Sequence, residues 1–260
     1  MTTRIPWVRN PDGTPGEVWN PVRGCSPVSA GCANCYAARF ASRFSGPGQP
    51  YDGLAQGGKW TEVIRLCPDV LGKPFHWKKP RMIFVNSMSD LFHDNVSWSY
   101  RDKVLRVIHK TPQHTYVILT KRPRTMREYM AINPCHLDNL WLGVSVEDQT
   151  AADVRIPLLL ATPAALRFVS IEPQLGRVFI RKDWGGGRDR PGIDWIICGC
   201  ESGPGRRPFD WDWARALREQ CVLAGIPFFF KQAQTTKRRV IEMPALDGRV
   251  WDQIPERVVP

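Results

Sequence analysis

Two stretches decide the fold: TYVILTKRP, Thr115 to Pro123, and LWLGVSVED, Leu140 to Asp148. Each is a short apolar run rich in β-branched residues that ends abruptly in polar or charged ones. A strand that is apolar on both sides is what a parallel sheet covered on both faces requires. Four more runs have this form: MIFVNSMSD (Met82 to Asp90), LRFVSIEP (Leu166 to Pro173), DWIICGCESG (Asp194 to Gly203) and IPFFFKQ (Ile226 to Gln232). Helix-like segments separate several of them. SYRDKVLRVIHKTP places Val104, Leu105, Val107 and Ile108 on one face and closes at Pro112. TAADVRIPLLLATP is interrupted by Pro157, and DWDWARALREQCVLAG runs from an Asp210 cap to a terminal Gly225. Strand, helix, strand repeated in this way gives βαβ units. With a short first strand in EVWNPV (Glu17 to Val22) there are about seven strands, which suits an α/β fold of the TIM-like (β/α) barrel type, full or partial.

At 260 residues the chain is expected to form one barrel domain over 1–260. Gly/Pro-rich 45–80 and RKDWGGGRDRPG (181–192) read as loop insertions, the second as a mobile one. The C-terminal extension, 235–260, contains KRRVIEMPALDGRVWDQIPE, whose DG pair signals a hairpin laid over one end of the barrel. No apolar run approaches 18 residues, and the N-terminal stretch MTTRIPWVRNPDGTPGEVW lacks a signal-peptide core. A cytoplasmic protein with no membrane partner is expected. A net charge of +11 points to a polyanionic partner, DNA or RNA. Basic clusters at Lys121 to Arg124, Gly187 to Arg190, Gly205 to Arg207 and Lys237 to Arg239 suit phosphate contacts. Trp98, Trp184, Trp195, Trp211 and Trp213 are candidates for base stacking, about half of them expected in the core instead.

In a parallel barrel, reactive groups gather at the C-terminal strand ends. Here those ends offer Ser87, Ser89, Asp90 and His93; Lys121 and Arg122; Ser145, Glu147 and Asp148; Ser170 and Glu172; Glu201 and Ser202; Lys231 and Gln232. Strand ends are polar wherever they meet solvent. However, Glu147, Glu172 and Glu201 follow equivalent apolar runs, which places them around one mouth. The stretch WNPVRGCSPVSAGCANCYAARF, Trp19 to Phe40, follows the first strand and brings Cys25, Cys32 and Cys35 to the same mouth. In a cytosolic chain such spacing points to a metal before a disulfide. Three thiolates suit a cubane iron–sulfur cluster with one open iron. Zinc stays possible if His93 or another cysteine completes four ligands. The remaining cysteines, Cys67, Cys135, Cys198, Cys200 and Cys221, read as buried free thiols.

The motifs WNPVRGCSPVSAGCANCYA, NSMSDLFH, ILTKRP, LGVSVE, FVSIEP, CGCESG and PFFFKQ, in this order along nearly the whole chain, resemble a phage-associated bacterial three-cysteine family. That family is commonly grouped near the radical S-adenosylmethionine (SAM) enzymes. The resemblance implies a [4Fe–4S] cluster on Cys25, Cys32 and Cys35 in a radical-SAM-like barrel. In that superfamily the open iron takes the amino and carboxylate groups of SAM, and reductive cleavage starts radical chemistry. Two departures stand out. The first cysteine gap is six residues rather than three, with the aromatic Tyr36 after Cys35 instead of before it. Cys200 stands where relatives tend to carry glycine in GGESG.

The resulting expectation is an iron–sulfur enzyme that cleaves SAM to start radical chemistry on a nucleic acid or nucleotide, for repair or modification, served by a reductant protein. Ser87, Asp90, Glu147, Glu201 and Ser202 are candidates for positioning SAM, and Lys121, Glu172 and Lys231 for facing substrate. One alternative is a non-enzymatic nucleic-acid-binding protein with a structural cluster or zinc. Another is a zinc hydrolase in which Glu147 or Glu172 activates water, against which stands the lack of an H-E-x-x-H motif.

Overall fold

The computed structural model describes residues 2–132, 137–186, 191–237 and 239–256. In chain order its elements are β1 (Glu17–Trp19), β2 (Val22–Arg23), α1 (Tyr36–Ser42), β3 (Ala55–Gln56), β4 (Lys59–Trp60), β5 (Arg65–Leu66) and β6 (Met82–Val85). Then come α2 (Trp98–His109), β7 (Thr115–Thr120), α3 (Pro123–Ile132), β8 (Leu140–Val146), α4 (Gln149–Leu160), β9 (Leu166–Ile171), β10 (Trp195–Gly199), α5 (Trp211–Ala224), β11 (Phe228–Gln234) and β12 (Val240–Glu242). One eight-stranded sheet runs β1-β6-β7-β8-β9-β10-β11-β12. All its neighbours are parallel except β11 and β12. The first and last strands do not pair, so the sheet curls into an open half-barrel: the partial form of the expected TIM-like barrel.

Side chains alternate across a strand, and here both sets are buried. Ile83 and Val85, Tyr116 and Ile118, Leu142 and Val144, Val169 and Ile171, Ile196 and Cys198, and Phe228 and Phe230 pack outward against the helices. The intervening Phe84, Val117, Trp141, Phe168, Ile197 and Phe229 point inward and form a second core with no helix in it. That inner core is closed from below by the N-terminal segment. Trp7 inserts there, with its ring 4.9 Å from Phe84 and 5.8 Å from Trp195. A proline-rich opening with the composition of a loop is thus the floor of the barrel. Gly143 is inward as well, and a Cβ there would sit 2.4 Å from the Phe168 ring. Gly143→Ala is therefore expected to cost about 1–3 kcal/mol through forced repacking; an unchanged denaturant midpoint would contradict it.

The helices obey their sequence signals. Asp148 and Asp210 accept backbone N–H bonds at the starts of α4 and α5, and Gly225 ends α5 in the left-handed region (φ 67°). Helix α4 continues through Pro157, because Ala152, Ile156 and Leu159 on either side are buried. Helix α3 is not among the expected segments, although Pro123 is a good first helical residue and Met126, Tyr129 and Met130 bury one face. The 45–80 insertion is structured: β3 pairs with β4, β5 pairs with β2, and β3 and β4 pack on α1. In the 181–192 insertion Trp184 is core, while Gly187 to Arg190 lie outside the described residues. At the C-terminus the predicted DG turn forms, with Leu246 and Arg249 bridged around Asp247 (φ 53°) and Gly248 (φ 81°). Asp252 then bridges to Phe229. No helix among the described residues is long and apolar enough to cross a membrane.

Candidate active site

The strand alternation that buries Phe168 and Ile197 continues past the apolar layers. It puts Lys121, Ser145, Ser170, Glu172, Glu201 and Lys231 on the inner face at the C-terminal strand ends, where all of them line one cleft. The cleft encloses about 1130 Å³ of atom-free space, counting the part open to solvent at its mouth. Trp7 and Ile5 belong to its floor, and Cys25, Cys32 and Cys35 to its upper wall. Of the site residues expected from sequence, Ser87, Asp90 and Ser202 also line it, and Glu147 does not. Glu147 is buried behind the cysteine loop. Its carboxylate accepts from Arg155 at 2.9 Å, and a Cβ on Gly31 would lie 3.1 Å from its Oε2. Gly31 thus lets the loop press flat against this ion pair.

The cysteine loop is held at two points by carboxylates from the barrel. Near Cys25, Asp90 accepts from the Thr120 hydroxyl (2.8 Å), the Phe92 N–H (2.9 Å) and the Arg122 guanidinium (3.3 Å). Arg122 in turn donates to the Ser26 carbonyl (3.0 Å) and hydroxyl (2.8 Å). Near Cys32 and Cys35, Glu201 accepts from Asn34 (3.0 Å), from the Arg207 backbone N–H (2.7 Å) and from the Arg207 guanidinium. Arg207 also donates to the Ala30 carbonyl. Burial works against ionised Glu201, but its bonds from Arg207 and Asn34 outweigh this and hold the carboxyl below its usual range. Asp90 and Glu201 therefore fix the loop from opposite sides. Sequence alone places these acids at the mouth; the arginines that engage them emerge only from the fold.

Burial, and after it the Asp90 charge, push the Cys25 thiol up to about 12. Without a metal beside it this thiol keeps its proton, and a metal must displace it. His93, a possible fourth zinc ligand from sequence, is occupied. Nδ1 accepts from the Asn95 N–H (3.1 Å), so Nε2 carries the proton toward the Ser26 hydroxyl (2.8 Å). Burial, then the Arg122 charge, lower its pKa. The unfolded chain thus takes a proton near the ordinary histidine value of about 6.5 before the folded chain does, so stability rises with pH through this window and is lost as pH falls below it. We expect the thermal midpoint to drop more between pH 7.5 and 5.5 in the native protein than in His93→Gln; equal drops would contradict this.

Across the cleft, Lys231 on β11 and Glu172 after β9 form an ion pair that spans the intervening β10, where Gly199 has no side chain to block it. Lys121 has no ion-pair partner among the described residues, and its stem lies along Gly31. Cys67, Cys198, Cys200 and Cys221 are buried free thiols as expected, and Cys135 lies outside the described residues. Cys200 is nevertheless a fourth thiol on the cleft wall. Ser26, Asn34, Trp7 and Arg207 are site residues that sequence reasoning misses. For Asn34 the available signal is its place between Cys32 and Cys35; for Trp7 there is none. Trp184 and Trp195 are fully buried, in line with the expectation that about half of the five tryptophans belong to the core, and drop out as stacking candidates. Arg122 and Arg207, from two of the basic clusters, spend their charge inside the protein.

An open parallel half-barrel with a three-cysteine loop folded over its strand ends defines the class of protein. Within it, the chain belongs to the family DUF5131, described as a protein of unknown function, whose profile matches residues 2–255. No curated protein matches significantly. Solved structures of spore photoproduct lyase are distantly similar. A doubly substituted mutant with bound AdoMet (SAM) and dinucleoside spore photoproduct is 10% identical, with a TM-score of 0.45, covering 84% of this chain and 64% of its own. A complex with dinucleoside spore photoproduct is 11% identical, with a TM-score of 0.42, covering 76% of this chain and 58% of its own. The chain thus spans less than two thirds of the length of the lyase structures it matches.

Proposed function

We propose that this is an iron–sulfur enzyme of the radical SAM type that acts on a nucleic acid or nucleotide. The observation that carries the reading is the placement of three free thiols from one loop on the wall of a cleft, beside charged and hydroxyl side chains, above the ends of a parallel sheet. The donor set fits a cubane. The loop brings three thiols, His93 is committed elsewhere, and Cys200, the fourth thiol of the cleft wall, follows β10 and is not part of the loop. A closed tetrahedral zinc site needs four ligands, whereas a cubane takes one iron–thiolate bond from each of three cysteines.

Cys25, Cys32 and Cys35 would hold the cluster, and its fourth iron would be free for SAM. With one electron from an external reductant protein, the bound cluster and SAM would supply a carbon-centred radical able to take hydrogen from a substrate. The chain's own residues do the rest. Arg122 and Arg207, each anchored by a buried carboxylate, keep the loop over the cleft. Ser87 and Ser202 offer hydroxyls to SAM, and Lys121, expected from sequence to face substrate, stands beside Gly31 of the cysteine loop, where its cation would meet the SAM carboxylate instead. The Lys231–Glu172 pair lies deeper, facing substrate, and can donate from nitrogen and accept at oxygen without a change in net charge.

Anaerobic reconstitution with iron and sulfide tests this reading. About four irons and four sulfides per chain are expected. One zinc bound in preference to iron, with no sulfide, would overturn it.

A further inference from the structure

We propose that α1 carries a docking strip for single-stranded nucleic acid that leads into the cleft. Tyr36, Phe40 and Phe44 are spaced four residues apart and are 47%, 47% and 40% exposed. Helix α1 ends at Ser42 with Arg43 as its cap, and Phe44, in the turn just beyond, keeps the four-residue spacing and lies beside Phe40. The opposite face is Ala37, Ala38 and Ala41, with Ala37 and Ala41 buried tightly against the β3–β4 hairpin and Met88. The Phe40 and Phe44 rings are left in water at the end of the helix, where they add little to folding, and with the Tyr36 ring at the cleft wall they mark a contact surface.

Charge selects the occupant. Residues 36–66 contain four basic side chains (Arg39, Arg43, Lys59, Arg65) and two acidic ones (Asp52, Glu62), a local excess of two on a chain of net charge +11. A second copy of this chain would bring the same charge and be repelled. A strand with unpaired bases supplies both the apolar faces and the negative charge the strip lacks. Phe40 and Phe44 are 5.1 Å apart and tilted by 47°. That leaves no room for a base between them, which takes about 6.8 Å, twice the stacking step. Bases therefore lie across the outward ring faces, an arrangement indifferent to sequence. The strip ends inside the cleft: Tyr36 lines it, and its hydroxyl donates to the Ser87 carbonyl at 2.9 Å. The next nucleotide along the strand would enter beside the cysteines.

This names the substrate class of the proposed enzyme and rests on that proposal only for the chemistry after docking. Binding is measured with reconstituted protein and no reductant, so loss of docking and loss of SAM chemistry are read separately. The probes are fluorescein-labelled 15-nucleotide oligomers, as DNA and as RNA, monitored by fluorescence anisotropy. The double variant Phe40→Ala/Phe44→Ala changes only exposed positions, and it is expected to bind either oligomer at least about tenfold more weakly with an unchanged thermal midpoint. Arg43→Glu is expected to weaken binding and reduce the salt slope by about 0.7. Tighter binding of one oligomer assigns the sugar. Unchanged binding in the double variant overturns the proposal. So does equal binding of the matching duplex, or a wild-type dimer that the double variant breaks.

Discussion

Cys32→Ala is expected to remove essentially all iron from reconstituted protein, from about four atoms per chain to fewer than about one, while the chain stays folded. The Cys32 side chain is half-buried and free. The local turn is held by the backbone, with Cys32 N–H donating to the Ser29 carbonyl (2.9 Å) and Cys35 N–H to the Cys32 carbonyl (3.3 Å). An alanine keeps both bonds, so stability without metal should change by no more than about 0.5 kcal/mol. A cubane held by two thiolates has lost a third of its protein anchors. Cys221→Ala is the control. That thiol is buried in α5, and its loss should lower stability while leaving iron content alone. Iron retained in Cys32→Ala, or lost equally in Cys221→Ala, would show that the loop does not hold the metal.

The second large effect is on stability. Asp90→Ala should cost about 3–5 kcal/mol, because it leaves the Arg122 guanidinium buried without its counter-charge. It also strands the Thr120 hydroxyl and the Phe92 N–H. The Ser26 limb then loses its anchor, so reconstitution should also suffer. Asp90→Asn keeps the acceptor and loses the charge, and should fall between the native protein and the alanine variant. Chemical denaturation measures both. A cost below about 1 kcal/mol for Asp90→Ala would mean that Arg122 finds water instead.

How much of this is legible in the sequence depends on what a sequence encodes locally. The runs around Ile118, Val144 and Val169 announce parallel strands because two covered faces require two apolar sets. The same period of two then carries Lys121, Glu172 and Lys231 into the cleft without further information. The Asp210 cap, the terminal Gly225 and the Asp247–Gly248 turn are legible for equally local reasons, whereas Asp148, read as a strand-end site residue, caps α4 instead of lining the cleft. What depends on distant partners is not. Nothing near Asp90 or Glu201 says that Arg122 or Arg207 will engage it and turn a candidate ligand into an anchor for the cysteine loop. Glu147 sits at the predicted strand end, yet Arg155 and Gly31 close it off from the cleft. Trp7 lies in a stretch with the composition of a loop and becomes the floor of the barrel. Trp184 and Trp195 fill the core, as expected of part of the tryptophan set. The exposed aromatics are Phe40 on α1 and Phe44 just past its end, with Tyr36 leading into the cleft, and their spacing is present in CYAARFASRF.

The central claim is that three thiolates hold a cluster whose open iron meets SAM. Low-temperature EPR of the anaerobically reconstituted, dithionite-reduced protein, recorded with and without SAM, tests it most directly. A reduced cubane signal is expected, with a shape and g-values that shift when SAM is added. A cluster signal indifferent to SAM would contradict it and leave a protein whose cluster serves structure or binding alone.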